Sequence, residues 1–95
     1  MTVRRYTVSG RVQGVGFRYF VEMHARRLGV GGWVRNRADG TVEVLAAAGE
    51  AALVDLKALL AEGPAGAHVT GVVEEPGSLL DGDDMTAFVR LRTAR

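Results

Sequence analysis

Arg18 and Asn36 are the residues whose types and surroundings could do chemistry. Arg18 closes the stretch "GRVQGVGFR", where Gly10, Gly14 and Gly16 fall within seven positions. Glycines in a strand-to-helix turn let the chain adopt positive φ, and that role alone would explain them. They also let backbone N–H groups approach an anion with no side chain in the way. A cation in the first turn opposes the helix dipole, unless an anion sits between it and the unpaired N–H groups. A guanidinium then grips phosphate oxygens as a bidentate fork. Neither GxxxxGK[ST] nor a full GxGxxG is present, because Tyr19 stands where the third glycine would be. The loop therefore suits one small phosphate group better than a nucleotide.

Asn36 is the second candidate. A helix from about Arg18 to Leu28 descends roughly 16 Å. A strand from Gly32 to Asn36 returns roughly the same distance. The chain so comes back to the level of Arg18, where an amide can accept from a water and donate to a phosphate oxygen. The other reading of Asn36 is that it starts the turn into "RADG". Spacing leaves both open.

The elements that must position these residues follow from periodicity. "VRRYTVSGRV" alternates, with Tyr6 and Val8 on one side, and predicts a half-buried strand. Phe17, Val21, Ala25 and Leu28 make one helical stripe, Gly29 ends the helix, and Val30 covers the end. "GGWVRN" and "TVEVLA" predict two strands joined by an Asp-Gly hairpin turn. "GEAALVDLKALLAEGP" predicts a second helix, its buried stripe formed by Leu53, Leu56 and Leu60 with Val54 and Leu59, stopped by Gly63 and Pro64. "AHVTGVVEE" predicts a fourth strand. An acidic segment, "PGSLLDGDD", leads to a last one, "TAFVRLR". The order predicts an α+β, ferredoxin-like (split βαβ) sandwich, βαββαβ with a short C-terminal strand. Its antiparallel sheet carries two helices on one face. That fold hosts many functions and decides none.

Bulk properties narrow the class. The 95 residues predict a single domain over 1–95, nearly half of it hydrophobic. Without cysteine there is no disulfide, thiol nucleophile or thiolate-bound metal, and a cytoplasmic location is expected. No apolar run reaches a membrane-spanning length, and the N-terminus lacks the apolar block of a signal peptide. Residues 1–40 carry eight arginines against Glu22 and Asp39, a net of +6. Residues 41–95 carry four basic residues against nine acids, a net of −5. The glycine turn thus lies in a basic field that would attract a small anion or a nucleic-acid backbone.

"GRVQGVGFR" followed by "LGVGGWVRNRADGTVEV" resembles the acylphosphatase family. "GEAALVDLKALLAEGPAGAHV" resembles that family's second helix and the link after it. The likeness runs from about residue 6 to 75, with Phe88 in the expected last strand. The resemblance implies a small enzyme that hydrolyses the carboxyl–phosphate anhydride of acyl phosphates, with no metal and no cofactor. It implies Arg18 as catalytic arginine and Asn36 as the residue orienting the water. The backbone of Gln13, Gly14, Val15, Gly16, Phe17 and Arg18 would cradle the phosphate. A small-molecule acyl phosphate substrate, a monomer, and no nucleic-acid or membrane partner are expected. His24 and His68 read as surface or boundary residues, Asp39 as a turn residue, and Trp33 and Tyr19 as packing. Two other readings compete with this one. "GVGFRYFVE" imitates the glycine-aromatic signature of an RNA-binding module, but that signature belongs on the third strand, where "TVEVLAAA" has no aromatic. A domain from a larger carbamoyl-transfer protein would need further domains, which 95 residues do not hold.

Overall fold

The computed structural model describes residues 1–78 and 85–93. The elements are β1 (Thr2–Arg11), α1 (Phe17–Leu28), β2 (Gly31–Asn36), β3 (Val42–Ala48), α2 (Glu50–Glu62), β4 (His68–Pro76) and β5 (Phe88–Arg90). The sheet order is β4-β1-β3-β2-β5. The four longer strands pair antiparallel throughout, as the split βαβ reading requires. The appended β5 runs parallel to β2, so the complete sheet is mixed.

Strand alternation decides the layers. Tyr6 and Val8 of β1 face the helices, opposite Val44 and Val42 of β3. Phe17, Val21 and Ala25 of α1 and Leu53, Leu56 and Leu60 of α2 close over them in one core. Burying each of the larger ones, the phenylalanine, the valines and the three leucines, contributes roughly 1.5–3 kcal/mol. α1 ends as expected. Gly29 adopts φ 74°, and the Val30 N–H returns to the Ala25 carbonyl at 2.8 Å. Leu28 and Leu59 are half-buried at the margin.

Val54 departs from the predicted stripe and is 66% exposed. At about 100° per residue, Leu53, Leu56 and Leu60 share one side of α2, and Val54 points well away from it. The sheet covers only that side. The opposite face of the sheet holds Glu43, buried beneath Arg35 at 2.7 Å, Arg5 at 3.4 Å and Arg37 at 3.9 Å. Trp33 is buried on this face too, with the Arg35 guanidinium 4.7 Å over its ring.

Gly10 belongs to the fold and not to the turn after it. It sits at φ 119° in a β-bulge, where an added Cβ would lie 2.1 Å from the His68 carbonyl oxygen. Residues 79–84, most of the acidic segment, lie outside the described residues. Among the described residues no helix is long and apolar enough to cross a membrane.

Candidate active site

After β1, Val12 is buried and anchors the start of the turn. Gly14 and Gly16 follow at φ 74° and 77°. An added Cβ at either would meet nothing within 4 Å, so glycine is needed there for its backbone angle and not for room. Gly16 is the N-cap of α1, and its carbonyl accepts from the Phe20 N–H at 3.0 Å. Phe17 then drops its ring into the core. Among the described residues, no carbonyl or side chain accepts from the N–H groups of residues 13–18. α1 has no acid in its first turn. A row of free N–H groups at a helix start attracts an anion.

The Gln13 side chain has a role that sequence reasoning did not assign. Its Nε2 donates to the carbonyls of Arg37 at 2.8 Å and Thr41 at 3.0 Å. The glycine turn is thereby tied to the β2–β3 hairpin. The hairpin turn closes through Arg37 N–H to Thr41 O at 2.8 Å and Gly40 N–H to Arg37 O at 3.1 Å. The Asp39 carboxylate accepts from the Thr41 hydroxyl at 2.6 Å and the Thr41 N–H at 3.0 Å. These bonds, the hydroxyl's foremost, hold its pKa below the ordinary value. Asp39 is a turn residue, as expected.

Asn36 takes no part in that turn. It ends β2, paired with Val42, and its Oδ1 is buried with no hydrogen-bond partner among the described residues. A buried amide oxygen left unbonded costs about 1–3 kcal/mol, so its position calls for a donor. Asn36, Arg18, Gly14 and Gly16 line one cavity of about 120 Å³. One water needs roughly 10–15 Å³ by such a measure, so a small tetrahedral anion with a water fits. The structure therefore brings together the two side chains and the turn that the sequence singled out. Arg18 is held in place by Nη1, which donates to the Leu91 carbonyl at 2.9 Å.

Arg90 also lines this cavity and was missed. Its signal lay in "TAFVRLR": two residues past the buried Phe88, it must share that residue's face. What the sequence could not show is that β5 lies beside β2. Tyr19, expected to pack, is 56% exposed at the cavity rim, under the Arg90 guanidinium. As the third residue of α1 it points away from the face that Phe17 and Val21 bury. His24 sits at the boundary against the Phe20 ring, and His68 is exposed at the start of β4. Neither lines the cavity. Among the described residues no cluster of three or more His, Asp or Glu side chains is placed to hold a metal ion. β3, where the RNA-binding reading wants exposed aromatics, contains none and is buried along its length.

Comparison with known proteins follows the same lines. A family model described as acylphosphatase matches residues 4–87. An acylphosphatase of Rhodopseudomonas palustris (strain BisB18) is 52% identical over 77 residues, 81% of this chain and 78% of that one. The crystal structure of acylphosphatase from Bacillus subtilis superposes with a TM-score of 0.86 at 41% identity, covering 96% of this chain and 99% of that one. The structure of an acylphosphatase from Coxiella burnetii gives a TM-score of 0.86 at 37% identity, covering 95% and 92%.

Proposed function

The chain belongs to the acylphosphatase family, and from that premise we propose how its residues carry out the reaction. The activity is hydrolysis of the carboxyl–phosphate anhydride of an acyl phosphate, giving a carboxylate and inorganic phosphate. In our reading the N–H groups of Gln13 to Arg18 and the Arg18 guanidinium bind the phosphoryl oxygens. They stabilise the charge that spreads over those oxygens during transfer. Asn36 accepts a hydrogen bond from a water through Oδ1 and places it in line with the bond to the acyl oxygen. The water oxygen bonds to phosphorus, the P–O bond to the acyl group breaks, and the carboxylate leaves with that electron pair. The water's proton passes to a phosphoryl oxygen of the substrate. An acyl phosphate is an activated anhydride with a good leaving group, so no strong base is required.

One observation carries this reading: the buried, unpartnered Asn36 Oδ1 shares a cavity with Arg18 and the glycine turn. The cavity is lined by the turn after β1 and by residues of α1, β2 and β5 of one chain, which supports a single domain over residues 1–95 working as a monomer. The absence of cysteine is compatible with the cytoplasm. Phosphate release from acetyl phosphate and benzoyl phosphate, with EDTA present and with added inorganic phosphate as inhibitor, tests the whole scheme. Asn36→Ala should lower turnover on the order of a hundredfold while weakening phosphate inhibition far less. Equal losses in both would remove the water-orienting role.

A further inference from the structure

One phosphoryl group accounts for Arg18 and the turn, but two more arginines stand beside them. Arg90 lines the phosphoryl cavity and also an adjoining, more open one of about 250 Å³. That second cavity is lined by Arg18, Arg90, Leu91 and Arg92, so every side-chain charge on its wall is positive.

Arg90 is held in a defined pose. Its Nε meets Glu22 Oε1 at 3.0 Å, and its guanidinium carbon lies 5.6 Å over the Tyr19 ring. Glu22 is itself mostly buried and is fixed from its other oxygen by Arg26 at 3.0 Å. The Nε edge and one face of the Arg90 guanidinium are thus occupied. Among the described residues its two terminal nitrogens have no partner. A fork pinned at its back presents its donors with little entropy left to lose, which is how arginine recognises a carboxylate or phosphate. Arg92 is exposed and, among the described residues, has no hydrogen-bond or ion-pair partner. Glu22 offsets one charge of this group, which leaves a net positive field over the second cavity.

We propose that Arg90 and Arg92 form a second anion subsite beside the phosphoryl site. It selects acyl phosphates whose acyl portion carries its own carboxylate or phosphate. The inference rests on the phosphoryl-site reading above and names the substrate class of that site. Hydrolysis of a neutral acyl phosphate needs neither residue for its chemistry. A doubly anionic substrate would gain charge-assisted hydrogen bonds at its far end.

Calorimetric binding of two non-hydrolysable probes tests this: ethylphosphonate, and 3-phosphonopropionate, which adds a carboxylate. The protein should bind the carboxylated probe about tenfold more tightly, the scale of one partly exposed charge-assisted contact. The ratio should fall to within about twofold in Arg90→Gln/Arg92→Gln, and also diminish in the exposed Arg92→Gln alone. Arg90→Lys keeps the charge but not the fork and should retain part of the preference. Hydrolysis of succinyl phosphate against butyryl phosphate should show the same ratio in kcat/KM, mostly through KM. Equal affinity for the two probes in the unmodified protein, or a preference that survives in the double variant, would overturn the subsite. A purely structural role for Arg90 would weaken both probes together and leave their ratio fixed, which also overturns it. Arg18→Ala keeps the two readings apart. If it abolishes binding of both probes while the unmodified protein shows no preference, the phosphoryl site stands and the subsite alone falls.

Discussion

Both helices start on a glycine, yet Gly16 adopts φ 77°, ψ 20° before α1 and Gly49 adopts φ −70°, ψ 159° before α2. The extended angles at Gly49 are open to any residue, whereas the left-handed ones at Gly16 favour glycine. The charges differ as well. α2 carries Glu50 in its first turn, the sign its dipole prefers, and Arg4 meets that carboxylate at 3.3 Å. α1 has no acid there and puts Arg18 second. One helix start is arranged for stability by its own side chains. The other has N–H groups without an acceptor among the described residues and a guanidinium that lines a cavity with them, an arrangement that becomes favourable with an anion bound. In the proposed mechanism, stability and function are thus divided between two otherwise similar strand-to-helix junctions.

The largest effect that would sharpen this contrast is at Arg18. Arg18→Ala should lower kcat/KM for acetyl phosphate by at least about a hundredfold, on the order of 3 kcal/mol, and remove inhibition by inorganic phosphate. Unchanged kinetics would make the α1 junction as structural as the other.

Next comes pH, acting at the α2 end. The Tyr6 hydroxyl is buried beneath α2 and donates to the Leu53 carbonyl at 3.5 Å. Burial foremost, then Glu74, pushes its pKa from 10 up to about 12. The folded value lies above the unfolded one, so this contribution is whole below pH 10 and is lost as pH rises through 12. Its size is on the order of 2 kcal/mol. Urea unfolding from pH 9 to 12 should show that loss in the unmodified protein and not in Tyr6→Phe. Parallel curves would contradict it.

Smaller differences follow at the caps and the charges. Gly16→Ala should cost about 1–2 kcal/mol in thermal or urea unfolding because of its left-handed angles. Gly49→Ala should cost less than about 1 kcal/mol. Equal costs would erase the backbone half of the comparison. Glu50→Gln should remove only about 0.3–1 kcal/mol of stability and leave hydrolysis as it was, which a kinetic assay beside the melting curve checks.

The local order of the chain was legible residue by residue. The stripe Phe17, Val21, Ala25 and Leu28 placed α1 at Phe17–Leu28, and the Asp-Gly turn placed the β2–β3 hairpin, because both signals act within a few residues. Arg18 and the glycine turn were visible for the same reason. Counting rise per residue brought Asn36 to their level, but could not separate a site residue from the start of a turn. That Asn36 stays out of the turn shows only in the structure, where Gln13 bonds to the hairpin across 24 and 28 residues and Asn36 Oδ1 is buried without a partner among the described residues.

What the sequence determined by itself were the elements and their order, consequences of short-range periodicity, and the presence of a glycine turn beside Arg18. Which side of α2 faces the sheet, and hence that Val54 is exposed, was decided only when the core formed. The same holds for β5, whose parallel pairing with β2 brings the Leu91 carbonyl to Arg18 and Arg90 to the cavity. Strand pairing and side-chain burial depend on partners far along the chain, and no local pattern encodes which partner is met.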